Sequence, residues 1–339
     1  MTTSERIKAV LNFEKPDRLP VIEWAVWWHL TIERWQREGA LPADCTDRYE
    51  ITRRFGLDMH YQGYAPPFNG EQLDALVKER QLCEGAGPVA SEADYEKILP
   101  ACYDLALIER DLPQWRRWAA ERREHGSAVW LTFWGFFGWP RYLFGIEPHM
   151  LAFYDHPELI HRMNREYCAY CLRALATICA ECTPDFITLG EDMSYNNGPM
   201  LSQVCFDEFL KPYYLALTAR ADAHGIPVLV DSDGDVTQLC GWIRDGGCKG
   251  IFPLERQAGT DVAALRRLYP DMVLMGGFDK MTMDKGEAAM RAEFERLLPV
   301  ARQRGFLISC DHQTPPAVSF QDYQCYLRLF REYAEKACQ

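Results

Sequence analysis

Residues 227–235 pair a short apolar run, Pro227-Val228-Leu229-Val230, with the polar loop Asp231-Ser232-Asp233-Gly234-Asp235. The second half of the chain repeats this pattern. The other runs, each with its loop, are Phe186-Ile187-Thr188-Leu189 with Gly190-Glu191-Asp192, Gly250-Ile251-Phe252 with Pro253-Leu254-Glu255, Met272-Val273-Leu274-Met275 with Gly276-Gly277-Phe278-Asp279, and Phe306-Leu307-Ile308-Ser309 with Cys310-Asp311-His312. Short, continuous apolar runs are typical of strands buried on both faces of a parallel sheet.

Helical patterns separate these runs. Met290, Phe294, Leu297 and Leu298 recur at helical spacing and predict an amphipathic helix. A long helix is expected from a cap at Asp155, with Pro157 just behind it, to about Cys182. Another is expected over residues 206–224, with a kink or restart at Pro212.

The alternation of strands and helices predicts the fold class. Earlier strand candidates at Leu19–Trp24, Met59–Tyr61 and Val129–Phe133 bring the count to eight. We therefore expect an α/β protein, a (β/α)8 TIM barrel with additional N-terminal helices, forming one domain over residues 1–339. Because the first half of the chain is less regular, a doubly wound open sheet is the alternative.

Composition narrows the environment and the partners. The chain carries 37 Lys and Arg against 49 Asp and Glu, a formal charge of −12, which argues against nucleic acid or an anionic membrane surface as a partner. No secretory signal or membrane-length apolar stretch is visible. Thirteen cysteines with no disulfide framework indicate a reducing compartment, so we expect a cytoplasmic protein.

Polar side chains at successive strand ends form the strongest candidate site. Glu191, Asp231, Asp233, Asp279 and His312 all follow predicted strands and would converge at the mouth of a barrel. Such a group can bind a metal through oxygen and imidazole ligands, or perform acid–base chemistry. The alternative for each single aspartate is a turn or a helix cap.

Two further features are ambiguous. Cys168, Cys171, Cys179 and Cys182 have the spacing of zinc knuckles, but they share one face of a predicted helix, so we expect them to pack in the core. Aromatic residues cluster around Trp24 and around 130–139. They are either core or the wall of a pocket for an apolar ligand. Neither a nucleotide-binding glycine loop nor a serine-hydrolase elbow is present.

Several segments together resemble the uroporphyrinogen decarboxylase superfamily. They include Ser4-Glu5-Arg6, Pro16-Asp17-Arg18-Leu19-Pro20, Arg54-Phe55-Gly56-Leu57-Asp58, 138–145 with Tyr142-Leu143, Phe206…Phe209…Pro212-Tyr213, and His312…Pro316…Ser319. The resemblance covers nearly the whole chain and implies a (β/α)8 barrel. It implies two alternative chemistries, because the superfamily contains cofactor-free decarboxylases and zinc-dependent methyltransferases.

The decarboxylase branch is the less similar one. It is matched at His312, but its arginine-bearing segment after the first strand reads Glu23-Trp24-Ala25-Val26-Trp27-Trp28 here. A uroporphyrinogen-type decarboxylase would therefore need Arg141 or Arg18 to point into the mouth and hold substrate carboxylates.

The methyltransferase branch is the more similar one. Its zinc ligands, His-x-Cys-Gly and a late Cys, align with Asp231, Asp233 and His312 of this sequence. The resemblance thus implies a divalent metal, zinc, on Asp231, Asp233 and His312, with Glu191 as a fourth ligand or general acid. Asp233 and His312 would also be catalytic.

The same resemblance suggests a substrate and a partner. We expect a small methylated molecule, such as an aromatic ether, bound by the side chains Trp24, Trp134, Tyr142 and Asp279. A corrinoid protein would accept the methyl group.

Overall fold

Seven parallel strands organise the protein. A computed structural model describes residues 1–77 and 85–339. In chain order its strands are β1 (His60–Tyr64), β2 (Ala128–Trp134), β3 (Phe186–Gly190), β4 (Ser194–Tyr195), β5 (Gly198–Pro199), β6 (Val228–Asp231), β7 (Gly250–Phe252), β8 (Val273–Phe278) and β9 (Phe306–Cys310). Strands β4 and β5 form a small antiparallel hairpin. The others form one parallel sheet in the order β1-β2-β3-β6-β7-β8-β9, curled into a TIM-barrel-like half barrel.

Helices cover the outside of this sheet. They are α1 (Thr3–Leu11), α2 (His29–Arg37), α3 (Arg48–Arg54), α4 (Gly70–Val77), α5 (Glu92–Ile98), α6 (Ala106–His125), α7 (Gly138–Phe144), α8 (Ile146–Asp155), α9 (Pro157–Cys179), α10 (Gln203–Cys205), α11 (Lys211–Asp222), α12 (Leu239–Asp245), α13 (Val262–Leu268), α14 (Glu287–Ala301) and α15 (Phe320–Lys336). Within the described residues, no helix has the length and apolarity needed to cross a bilayer. That residues 1–339 form one domain stays a prediction.

The predicted helices are confirmed with small corrections. The apolar stripe that includes Met290 lies buried on α14. Asp155 is not the cap of α9, because it is the last residue of α8 and His156 takes the cap position. Residues 206–210 form a π-helical turn, and α11 restarts with Pro212 in its first turn, where the missing N–H costs no helical hydrogen bond.

Seven of the eight predicted strands are confirmed, whereas the first, Leu19–Trp24, is not a strand. This segment lies between β9 and β1, held by single contacts. The Asp58 N–H donates to the Val21 carbonyl at 2.9 Å, and the Val21 N–H donates to Asp58 Oδ2 at 2.7 Å. Ser309 Oγ donates to the Ile22 carbonyl at 2.9 Å. Since these contacts form no ladder, the barrel is not closed by backbone pairing.

A buried carboxyl group sits in this gap. Glu23 is 4% exposed. Its Oε2 lies 2.9 Å from Ser309 Oγ and accepts from the Cys310 N–H at 3.3 Å, and Tyr323 donates to its Oε1 at 3.4 Å. Burial disfavours the charged form and raises the pKa of Glu23 to about 7. Glu23 thus ties the unpaired segment both to β9 and to α15.

The cysteines with knuckle-like spacing pack in the core, as predicted. Cys168 and Cys171 are buried within α9. Cys179, the last residue of this helix, is half-buried, and Cys182, just beyond it, is buried. Burial raises the pKa of the Cys168 thiol to about 11, so this thiol stays protonated at neutral pH.

The buried Glu23 carboxyl makes stability depend on pH. The folded chain keeps this proton up to about pH 7, whereas an unperturbed glutamate releases it near 4.5, so the free energy of unfolding falls as pH rises between these values. Between pH 5 and 8 the wild type should lose about 1–3 kcal/mol of stability relative to Glu23→Gln, which cannot ionise. Urea unfolding at both pH values measures this difference.

The exposed Glu14→Gln is the matched control for that experiment. It should follow the pH profile of the wild type. Parallel profiles for Glu23→Gln and the wild type would show that Glu23 ionises normally in the folded protein.

Candidate active site

A cavity of about 360 Å³ opens at the carboxyl ends of the parallel strands. Asp231, Phe252 and Tyr64 line it from the last positions of β6, β7 and β1, and Thr132 lines it from β2. His312 lines it from the loop after β9. This volume lies in the lower part of the range for small-molecule sites, about 300–1,000 Å³.

Two carboxylates and one imidazole meet at the edge of this cavity, where Asp233 and His312 line it and Glu255 lies behind them. One ligand atom from each of Asp233, Glu255 and His312 lies within 4.8 Å of the other two. His312 Nε2 is 3.8 Å from Asp233 Oδ2. Asp233 lies in the loop after β6, Glu255 in the loop after β7 and His312 in the loop after β9, so the strand ends bring the three side chains together. We call them the Asp–Glu–His cluster.

The charges of the cluster are unbalanced without a cation. Burial, together with the nearby carboxylates of Glu255 and Asp192, raises the pKa of Asp233 to about 7. Burial and the Lys280 ammonium lower the pKa of His312, so the imidazole is neutral at pH 7. Lys280 Nζ lies 3.4 Å from Glu255 Oε1 and 3.4 Å from Asp311 Oδ1. The cluster therefore offers an uncharged imidazole beside two crowded acids.

A glycine holds the Asp233 loop close to its neighbours. Gly234 has φ +88°, and a Cβ there would lie 2.7 Å from the Ser194 carbonyl carbon. The Gly234 N–H donates to Glu255 Oε2 at 3.3 Å. A side chain at position 234 would push the hairpin away and separate Asp233 from Glu255.

Trp24 forms an apolar wall beside the cluster. Its ring meets Phe252 edge to face with centroids 5.1 Å apart, and it meets His312 in the same way at 6.1 Å. Trp24 Nε1 donates to the Cys310 carbonyl at 2.6 Å, which fixes the ring. Trp24 thus lines the cavity, and that it binds the substrate stays a prediction.

Polar side chains from α3, β1 and β2 form another wall. Arg48 and Gln62 line the cavity here. Arg48 donates to Gln62 Oε1 at 2.7 Å, and Gln62 Nε2 donates to Thr132 Oγ1 at 2.9 Å. Arg48 lies on a helix and Gln62 within a strand, so no strand-end position marks either residue in the sequence.

Asp231 lines the cavity but lies outside the Asp–Glu–His cluster. Its backbone carbonyl accepts from the Glu191 and Asp192 N–H groups at 2.9 and 3.3 Å. Burial and the carboxylates of Asp192 and Asp233 raise the pKa of Asp231 well above its usual range. Among the described residues, the ligand atoms that lie within 4.8 Å of one another belong to Asp233, Glu255 and His312 and not to Asp231, so Glu255 takes the third place in the candidate ligand set. The parallel pairing of β6 ends at Asp231, so Asp233 lies in the loop that follows.

Glu191 points into the protein instead of the cavity. It is fully buried and accepts from the N–H groups of Phe136, Phe137 and Gly138 at 2.8–2.9 Å, and from the Tyr214 hydroxyl. Gly135 makes room, because a Cβ there would lie 1.8 Å from the Glu191 carboxyl carbon. Glu191 thus has four protein donors and lies outside the Asp–Glu–His cluster.

The remaining predicted binding residues lie outside the lining of this cavity. Trp134 and Tyr142 pack together with ring centroids 5.3 Å apart, and Tyr142 also stacks on Phe68. Asp279 caps the helical turn after β8, with its Oδ1 accepting from the Met281 N–H at 2.9 Å. Asp279 also accepts from Gln257 Nε2 at 2.8 Å. We therefore leave these three residues out of the proposed site.

The two arginines named for a decarboxylase are both engaged elsewhere. Arg18 donates to both Asp58 carboxylate oxygens at 2.6 and 2.7 Å, beside the amino end of β1. Arg141 donates to the carbonyl and to Oδ2 of Asp192 at 2.8 and 3.1 Å. Neither lines the cavity in the part of the chain that the structure describes.

The position of Glu255 after an apolar run is a sequence signal for a residue at the cavity. Glu255 follows the run Gly250-Ile251-Phe252 just as Asp233 follows its own strand. The rule that placed Asp233 and His312 at the mouth applies equally to Glu255. The sequence analysis named Asp231 in place of Glu255, and that Asp231 binds a metal stays a prediction.

The fold and the site together define a class. A curled parallel sheet with helices outside and a polar cavity at the strand carboxyl ends is the arrangement of TIM-barrel-like enzymes. The profile of one family, uroporphyrinogen decarboxylase (URO-D), matches residues 137–333, more than half of the chain. The chain therefore belongs to the uroporphyrinogen decarboxylase family.

Comparison with solved structures shows the same fold. A methyltransferase from Methanosarcina mazei is similar with a TM-score of 0.64 over 98% of this chain and 99% of that chain. The two share 15% sequence identity, so the likeness concerns the fold alone. No curated protein sequence matches the chain.

The position of Glu191 predicts a purely structural role. Glu191→Gln would turn an amide N–H toward backbone donors, and we expect it to lower the free energy of unfolding by about 2–4 kcal/mol. The zinc content of the Glu191→Gln variant, measured by elemental analysis of the folded fraction, should equal that of the wild type. Glu208→Gln on the surface is the control and should shift stability by less than about 0.5 kcal/mol. Loss of zinc at full stability would instead restore Glu191 as a ligand.

Proposed function

We propose that the protein is a metal-assisted methyltransferase that removes a methyl group from a small methylated substrate. One observation carries the proposal, namely the Asp–Glu–His cluster in the strand-end cavity. Family membership supports an enzyme, and the fold is shared with a methyltransferase.

The donor set fits a divalent cation, for which we propose zinc. Carboxylate oxygen and neutral imidazole both bind Zn²⁺, and the same set without thiolates is harder than a sulfur-rich site. Burial first, and then the negative charges of Glu255 and Asp192, raise the pKa of Asp233. A cation among these side chains would relieve that repulsion.

The chain's own residues would each have a defined task. Asp233, Glu255 and His312 would hold the cation, and Lys280 would keep the Glu255 carboxylate oriented through its 3.4 Å contact. When bound, the metal would supply Lewis-acid polarisation of the substrate oxygen that carries the methyl group.

Trp24 and Phe252 would pack against the substrate and exclude water beside the cluster. Exclusion of water strengthens every electrostatic interaction within the cavity. Because Trp24 contacts His312 edge to face, a substrate packed against Trp24 would lie next to the Asp–Glu–His cluster.

The proposed methyl acceptor is a corrinoid protein. This part of the proposal rests on the resemblance to the methyltransferase branch of the superfamily. Mixing the protein with a methyl aryl ether as methyl donor and a reduced corrinoid protein as acceptor, and following methylation of the corrinoid by absorbance, would test it separately from metal binding.

One observation favours a second candidate, metal-free decarboxylation. An arginine, Arg48, does line the cavity and would attract a carboxylate. The two candidates differ in their need for metal. Carbon dioxide release that persists with a chelator present would favour the decarboxylase, and loss of methyl transfer with the chelator would favour the methyltransferase.

The ligand set gives the sharpest test. Asp233→Asn and Glu255→Gln each keep size but remove one charged ligand, so each should weaken zinc affinity by about tenfold or more. Asp231→Asn is the matched comparison, because Asp231 lines the same cavity outside the cluster, and it should change the affinity by less than about threefold. Competition with a chromophoric chelator measures all three affinities.

Activity gives a second readout of the same variants. Methyl transfer by Asp233→Asn should fall together with metal occupancy and recover in part with excess zinc. Full activity of Asp233→Asn in the presence of a chelator would disprove the metal mechanism. A larger loss of zinc affinity in Asp231→Asn than in Glu255→Gln would restore Asp231 as the ligand.

A further inference from the structure

The guanidinium group of Arg48 faces the cavity without an acidic partner. Arg48 is half-buried and lines the cavity, and none of the described carboxylates forms an ion pair with it. This is notable in a chain with a formal charge of −12, where Arg18 and Arg141 each hold an aspartate. A half-buried cation without a counter-ion is costly unless a ligand supplies one.

Neutral neighbours fix the position of this group. Arg48 NH1 donates to Gln62 Oε1 at 2.7 Å, and Arg48 NH2 lies 3.3 Å from His60 Nε2. His60 Nδ1 faces the Asp58 carbonyl at 3.3 Å, which makes Nε2 the acceptor. Burial and the Arg48 charge lower the pKa of His60 to about 3, so the ring is neutral.

Thr132 and Tyr49 complete the arrangement around Arg48 and Gln62. Gln62 is oriented by Thr132, so its oxygen faces Arg48 and its amide nitrogen faces the hydroxyl. The Arg48 guanidinium also lies over the Tyr49 ring, 5.5 Å from the centroid. Of five N–H donors, two are used by Gln62 and His60, which leaves three for a ligand. A pre-oriented fork of this kind matches a carboxylate.

We propose that Arg48 and Gln62 form a carboxylate subsite, and that the substrate is a small methylated carboxylic acid. The carboxylate would bind to Arg48, and the methylated oxygen would lie at the Asp–Glu–His cluster. The assignment of the reacting end rests on the proposed function, whereas the carboxylate subsite rests on the contacts of Arg48 alone.

The charges of the cavity would impose one binding direction. Asp233 follows β6, which lies several strands from β1, and its ionised form would repel a carboxylate placed near it. Arg48 attracts the same group on the β1–β2 side. A neutral molecule of equal shape would gain from neither effect, so the subsite selects acids over their amides.

Binding of 4-methoxybenzoate and of its isosteric amide, 4-methoxybenzamide, to the metal-free protein tests the subsite. Both probes fit a cavity of this size class, and they differ in charge. We expect calorimetry with a chelator present to show that the wild type prefers the acid by about tenfold or more. Because no metal is present, failure of the metal chemistry would not alter this outcome.

Variants on α3 connect the preference to Arg48. Arg48→Gln should remove the preference for the acid, and Arg48→Lys should keep part of it, since lysine retains the charge but not the fork. Arg53→Gln, an exposed arginine on the same helix, is the matched control and should bind as the wild type does. Thermal unfolding of each variant confirms that it is folded.

Three results would overturn the subsite. They are equal affinity of the wild type for acid and amide, failure of the wild type to bind the acid, and an unchanged preference in folded Arg48→Gln. If the wild type prefers the acid but does not bind zinc, only the proposed metal chemistry is refuted.

Discussion

The site depends on how the open side of the curled sheet is held. Strands β9 and β1 do not pair, and residues 19–24 fill the gap without forming a ladder. Side chains do the work of the missing backbone bonds. Asp58 holds Val21, and Glu23 bonds Ser309 and Cys310. Since Trp24 follows directly and contacts His312, these tethers set the distance between the apolar wall and the cluster.

Charge is distributed unevenly around the cavity. Asp233 and Glu255 lie on one side with Lys280 as a partial counter-charge, whereas Arg48 lies on the β1–β2 side among neutral groups. Burial increases the energetic effect of each charge, because water screens it less. Negative charge is therefore concentrated on one side of the cavity and positive charge on the other. Both proposals about the ligand rest on this difference.

The fold was largely predictable because burial on both faces leaves a clear apolar signal. Strands such as β6 and β9 follow from that signal alone. The first strand was predicted wrongly for a physical reason. Residues 19–24 are apolar because the segment is buried, but Glu23 and Ser309 replace ladder bonds with side-chain bonds, which sequence periodicity does not reveal.

The site was less predictable than the fold. Strand-end position identified Asp233 and His312, and it would have identified Glu255. The same position is shared by Glu191, whose side chain turns inward to backbone donors. Position along a strand fixes where a backbone ends, but neighbouring donors decide where a carboxylate points. Arg48 came from a helix, outside any strand-end rule, and only three-dimensional packing brings it to the cavity.

The contact between Gly135 and Glu191 has a consequence for how this sequence can change over generations. A Cβ at position 135 would overlap the Glu191 carboxyl, at 1.8 Å from its carbon. Without that carboxyl, the N–H groups of residues 136–138 lose their acceptor. Neither position can therefore mutate freely while the other stays fixed. The two residues are expected to be inherited as a pair, and relatives that lack the glycine must build the loop after β2 in a different way.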